Sequence, residues 1–342
     1  MAKQVVIVGA LDTKGQEFKF VKDLIEKEGL DTLVVDFGVL GEPGFKPDIS
    51  REEVAKKGGH EISEFADGGH KDEAMKTMAF GLKEIVSQLF EDGKLDGIIS
   101  MGGSGGTSLA TTAMRALPVG VPKVMISTMG GGDVAPFAGT KDITFMPSIV
   151  DVSGINSISS VIYANGAGAI AGMVKVEKPE SGEEKPLITA SMFGNTTTAV
   201  DHARGILESE GYEVLVFHAT GTGGKTMEGL IKDGYITASL DITTTELADE
   251  VCGGILSAGP DRLKAAAHKG IPAIIVPGCV DMANFGGIET VPEKYKDRNL
   301  YQWNPNVTLL RTNVEENKKM GEMIAQAANE SVGPVVILIP LK

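Results

Sequence analysis

Short β-branched apolar runs recur along the chain, separated by stretches whose apolar residues return every three or four positions. In the first half the runs are residues 5–8, 32–35, 97–101 and 123–127; in the second they are 187–192, 213–217, 238–242 and 273–276. Uninterrupted runs of this length suit strands buried on both faces, and the helix-period stretches between them suit covering helices. The pattern predicts an α/β fold of doubly wound, Rossmann-like design with mainly parallel sheets. Residues 72–90 show the helical period most clearly: Met75, Met78, Ala79, Leu82, Ile85, Val86, Leu89 and Phe90 share a stripe, and Gly93 follows as a stop. That stripe reads as core. In the helix-like stretch 155–174, Ala164, Gly168 and Gly172 stand four apart, a face suited to close helix packing. Residues 38–69 hold several Gly and Pro without a sustained period and are expected to be a long surface excursion from a strand end.

The alternation restarts after residues 177–185, where Pro179, Ser181, Gly182 and several charges cluster as in a linker. Two lobes, 1–178 and 186–342, are therefore expected, with a cleft between them where their strand ends gather. A weak internal repeat supports the division. Glu28-Gly29-Leu30 before one apolar run matches Glu210-Gly211-Tyr212 before another, and Gly120-Val121-Pro122 matches Gly270-Ile271-Pro272. A length of 342 residues accommodates two such domains.

Charge narrows the partners. With 46 acidic against 32 basic side chains the net charge is −14, which disfavours duplex nucleic acid and anionic membrane surfaces. The longest uncharged run, 152–174, contains Asn156, Ser157, Ser159, Ser160 and Asn165 and is not expected to span a membrane. The first apolar run is too short for a secretory signal, and Cys252 and Cys279 make neither a disulfide framework nor a zinc motif, so a cytoplasmic setting is expected.

The strongest chemical signal is Gly102-Gly103-Ser104-Gly105-Gly106-Thr107-Ser108, between a strand and a helix start. Four glycines in five positions let a ligand approach the main chain, whose free N–H groups and helix dipole favour an anion, while Ser104, Thr107 and Ser108 add hydroxyls. A second glycine run, with Thr128, Gly130, Gly131 and Asp133, should lie beside it if the two strands are neighbours. Asp133 is a candidate metal contact, although turn capping is its commoner role. At the end of the first strand, Asp12 or Thr13 suits a helix cap, and Lys14 could neutralise a phosphate. Asp36 ends strand two, where a nucleotide domain often keeps a carboxylate for ribose hydroxyls, but no G-x-G-x-x-G accompanies it, so a nicotinamide or flavin is disfavoured.

In the second half, Ala219-Thr220-Gly221-Thr222-Gly223-Gly224-Lys225-Thr226 is an alanine-led variant of a P-loop. It follows a strand and carries the Lys-Thr pair, but it lacks the first glycine and a convincing Walker-B partner, so a glycine-rich ligand or interdomain loop is preferred. His218, Asp241, Glu246 and Asp281 fall at or near predicted strand ends as candidate catalytic or cation-holding groups; caps and turn residues are the commoner roles for each taken singly.

These phrases carry a resemblance. Asp12-Thr13-Lys14, residues 102–109, 117–128, 149–156, 217–221 and 240–246, and Asp281-Met282-Ala283-Asn284-Phe285-Gly286 together resemble the Tm-one-like ATP-binding family, a bacterial and plant group that includes the tomato mosaic virus resistance protein. The resemblance implies a two-lobed α/β protein with an ATP site in the first lobe, a tendency to form homodimers, and no settled reaction among bacterial members. It carries over the 102–108 turn and Asp12-Thr13-Lys14 as nucleotide-site residues, with Mg²⁺ as the expected companion of the polyphosphate. Members of that family usually continue past residues 335–339 with another loop, helix and strand, so the last sheet is expected to be incomplete. Two rival expectations remain: a nucleotide-sensing interaction module, and an enzyme acting on a small phosphorylated or carboxylated metabolite through second-lobe residues.

Overall fold

A computed structural model describes residues 3–65, 71–177 and 184–341. Residues 66–69 of the expected excursion and 178–183 of the expected linker lie outside the described residues. The chain divides into two compact units, Met1–Pro179 and Glu180–Lys342.

The first lobe is a parallel sheet of β1 (Gln4–Gly9), β2 (Asp31–Asp36), β3 (Gly97–Gly102), β4 (Lys123–Ser127) and β5 (Thr144–Pro147), in the order β2-β1-β3-β4-β5. Its helices are α1 (Leu11–Lys27), α2 (Arg51–Lys57), α3 (Lys71–Glu91), α4 (Ser104–Met114), the single turn α5 (Ala135–Ala138) and α6 (Ser159–Lys175). Alternation along β1 sets the two layers. Val6 and Val8 point into a core with Met78, Leu82 and Val86 of α3 and Ala110 and Met114 of α4. Val5 and Ile7 face Phe18, Val21 and Ile25 of α1 and Tyr163 and Ile170 of α6. The strand order reverses at β1, so the connections leave β1 and β3 in opposite directions and open a crevice at their carboxyl ends.

The expected surface excursion needs correction. Residues 51–57 are helical, opened by a capping box in which the Ser50 side chain accepts from the Glu53 amide and the Glu53 carboxylate accepts from the Ser50 amide. Val54 and Ala55 are fully buried in the first core. Because only two residues per turn face inward in so short a helix, periodicity could not reveal it.

The second lobe repeats the design with β6 (Leu187–Met192), β7 (Glu213–His218), β8 (Ile236–Thr243) and β9 (Ala273–Gly278). Its helices are α7 (Thr197–Ser209), α8 (Thr222–Lys232), α9 (Thr245–Cys252), α10 (Lys264–Lys269) and α11 (Val314–Asn329). An antiparallel sheet not anticipated from sequence is built of β10 (Met282–Phe285), β11 (Leu300–Asn304) and β12 (Val307–Arg311), before β13 (Val335–Ile337) closes the parallel sheet as β13-β9-β8-β6-β7. The repeated phrases mark equivalent turns: Gly29 and Gly211 each leave a helix at φ 78° and 90°, a left-handed conformation that a Cβ disfavours. No described helix is long and apolar enough to cross a membrane.

Candidate functional site

A cavity of about 350 Å³ lies at the carboxyl ends of β1, β2 and β3 in the first lobe, where the strand order reverses. Its floor is the turn from β3 into α4, through Gly102, Gly105 and Gly106. The first main-chain bond of α4 runs from the Thr107 amide to the Gly103 carbonyl at 2.8 Å. The amides of Ser104, Gly105 and Gly106 lie ahead of it and have no partner among the described residues, and Gly103 at the cap position supplies no side chain to cover them. A Cβ built on Gly105 would meet nothing nearer than the Met75 methyl at 3.8 Å, so the floor there is open space.

The structure sorts the predicted residues sharply. Asp12, Thr13, Lys14, Gly102, Gly105 and Gly106 line the cavity. Ser104 and Ser108 are exposed and outside its lining. Thr107 is fully buried, its hydroxyl 2.7 Å from that of Ser127, so it ties α4 to β4 and offers nothing to a ligand. The second glycine run does lie beside the first: β3 pairs with β4, and the Thr128 amide donates to the Gly102 carbonyl. Thr128, Gly130 and Gly131 nevertheless fall outside the lining, and Asp133 accepts from the Ala135 amide at 3.0 Å in a local turn ahead of α5, whose N-cap is Val134. Among the described residues no group of three His, Cys, Asp or Glu is placed to hold a metal.

The first-strand phrase is arranged otherwise than expected. The helix begins earlier, at Leu11, with an irregular turn at Lys14, and neither Asp12 nor Thr13 caps it. Asp36 takes that place: its Oδ1 accepts from the Leu11 amide at 3.0 Å and the Gly38 amide at 2.8 Å. Fully buried and outside the cavity lining, Asp36 presents no accessible oxygen to ribose hydroxyls; desolvation raises its pKa against the lowering effect of those two amides. Asp12 Oδ2 accepts from the Leu40 and Gly41 amides at 2.8 and 3.3 Å and so pins the loop after β2 over the cavity. Lys14 donates its ammonium to the Val152 carbonyl, which leaves two of its three donors unassigned.

Sequence reasoning missed the walls. Lys71, Met75 and Met78 descend one face of α3, and Phe37, Val39, Leu40, Phe65 and Leu109 complete the enclosure. The stripe read as plain core thus also forms a ligand-sized wall. Spacing of 71, 75 and 78 at the head of a helix next to the reversal point was the available signal, but periodicity cannot distinguish a side chain facing another side chain from one facing a void.

The second-lobe candidates serve another purpose. Arg262, fully buried, holds Asp241 through two bonds of 2.6 Å, Glu246 at 2.7 Å and Glu228 at 3.1 Å. Burial would lower the Arg262 pKa, yet the surrounding carboxylates carry it well above the ordinary value, while desolvation raises that of Glu228. Glu246 Oε1 accepts from the Gly221 and Gly224 amides at 2.7 and 3.0 Å. A side-chain carboxylate therefore fills the spot at the head of α8 where a P-loop would seat phosphate, and Lys225 points outward, exposed. His218 is exposed and stacked on Phe193, and Asp281 pairs at the surface with Arg311 at 2.8 Å; neither joins the Arg262 cluster.

Residues 3–179 match the N-terminal domain, and residues 185–342 the C-terminal domain, of the uncharacterised protein family UPF0261. The chain belongs to UPF0261. A UPF0261 protein of Clostridium tetani is 54% identical over 342 residues, covering 100% of this chain and 85% of that protein. One from Mesorhizobium japonicum is 42% identical, covering 99% and 84%. The ToMV resistance protein Tm-1(GCR237) of Solanum lycopersicum is 42% identical over 275 residues, 79% of this chain but 36% of that protein. Among solved structures, UDP-GlcNAc 2-epimerase from Neisseria meningitidis bound to UDP-GlcNAc aligns over 80% of this chain and 82% of its own at 10% identity and a TM-score of 0.30, too slight a likeness to argue from. UPF0261 membership therefore rests on sequence, and the site on the geometry above.

Proposed function

We propose that the first lobe binds a nucleoside triphosphate, ATP being the representative ligand, with its phosphates over the 102–106 turn. One observation carries this reading: the main-chain amides of Gly105 and Gly106, which have no partner among the described residues, lie at the head of an eleven-residue helix on the floor of a cavity at the reversal point of a doubly wound sheet. Lys71 and Lys14 border the same cavity and supply positive charge in a protein that is acidic overall. The resemblance set out from the sequence phrases implies the same ligand. The residues present fit a polyphosphate because the floor lacks Cβ atoms; any Mg²⁺ would travel with the phosphates, and Asp133 is not assigned to it. The second-lobe metabolite reading has less support, since Asp241 and Glu246 are already bound to Arg262.

Titration calorimetry of ATP into the parent and Gly105→Asp tests the assignment. The substitution meets open space, so the fold is kept while a negative charge enters the floor. Affinity is expected to drop by at least about tenfold. Equal affinity in the two proteins would remove the turn from the site.

A further inference from the structure

The carbon-lined half of the cavity bears on which nucleotide fits it, an inference that rests on the nucleotide reading above. Met75 and Met78 of α3, Leu109 of α4, Phe37 after β2 and Phe65 present carbon and thioether sulfur to the void. Sites that tell one base from another use hydrogen bonds to its edge, and most main-chain donors around this wall are already committed, the Val39 amide alone of the 37–41 loop having no partner among the described residues. The Phe37 amide donates to the Gly9 carbonyl at 2.9 Å, that of Gly38 to Asp36 at 2.8 Å and that of Leu40 to Asp12 at 2.8 Å. Those of Met75, Met78 and Leu109 lie inside α3 and α4. Asp12, the carboxylate in the cavity lining, accepts from Leu40 and Gly41 through Oδ2, and its Oδ1 is sealed from solvent with no partner among the described residues.

We propose that the first lobe accepts nucleoside triphosphates with little regard to the base: the ring is held by shape and apolar contact against Met75, Met78 and Leu109, and the polyphosphate fixes the orientation. A site built of hydrogen-bonding groups rejects a wrong partner strongly because those groups are left unpaired. An apolar wall has no such penalty to impose, and methionine adapts to rings of different outline.

Calorimetry on the full chain with ATP, GTP and inorganic tripolyphosphate decides it. ATP and GTP are expected to bind within about fivefold of each other, and each about tenfold or more tighter than tripolyphosphate. Met75→Ala keeps a strong helix former in α3 and should weaken ATP and GTP by the same factor, about three to tenfold, leaving tripolyphosphate unchanged. A preference for ATP over GTP beyond about tenfold, nucleoside triphosphates no tighter than tripolyphosphate, or an unaltered nucleotide affinity in Met75→Ala each overturns base tolerance while leaving the phosphate site standing. If none of the three ligands binds, the nucleotide reading falls and this inference with it.

Discussion

Individual side chains here are governed by whether their polar atoms find partners inside. Asp249 of α9 is fully buried; its Oδ1 accepts from the Asn284 and Leu256 amides and its Oδ2 from the Asn284 side chain. Burial nonetheless outweighs those bonds and pushes its carboxyl from the ordinary 3.8 up to about 6. The sign of the consequence is fixed by linkage. Between pH 3.8 and 6 the folded chain holds a proton that the unfolded chain has released, so stability falls as pH rises through that window, by about 3 kcal/mol in all. Asp249→Asn removes the ionisation. Its urea midpoint relative to the parent should therefore improve from pH 4 to pH 7.5, and a constant difference between the two proteins would refute the shift. At this scale the sequence was a poor guide. Asp12 and Asp36 look interchangeable as strand-end carboxylates, yet one ties a loop over the cavity and the other caps α1 from within, because carboxylates take whichever unpaired amides the fold leaves nearest.

Elements were more legible, because each announces itself through many residues at once. The eight apolar runs became strands to within a few residues, and the 72–90 stripe became α3. Short pieces escaped: α2 and the β10–β12 sheet depend on capping, on tertiary contact and on one another more than on period. Buried ion pairs escaped as well, since nothing local links Glu228, Asp241, Glu246 and Arg262, which are drawn from α8, β8, α9 and the turn before α10. This cluster is what holds those four segments in register. Glu228 adds the Leu263 and Ala265 amides at 2.7 and 2.8 Å, and Glu246 adds the head of α8. Arg262→Leu leaves three buried carboxylates without a cation and is expected to destabilise the second lobe by about 3–5 kcal/mol, read as a lowered denaturation midpoint by circular dichroism. A loss below about 1 kcal/mol would mean that water reaches the cluster.

For the whole molecule, the question is which lobe supplies the candidate site. Every residue lining the first-lobe cavity falls between Ala10 and Leu109, inside the first compact unit and inside the match to the UPF0261 N-terminal domain. The sequence led to the expectation of a cleft between two doubly wound lobes. The floor, the carbon wall and the two lysines all come from first-lobe residues. The first lobe also has both of its sheet faces covered by its own helices, so its two cores do not depend on the remainder of the chain. Residues 1–179 expressed alone should accordingly fold and bind ATP within about threefold of the full chain, because the contacts that set affinity travel with the lobe. The comparison has to be made with fold verified by circular dichroism. If the isolated lobe is folded and its affinity drops by more than about tenfold, second-lobe residues contribute directly or by ordering the loop that Asp12 pins, and the site must be redrawn to include them.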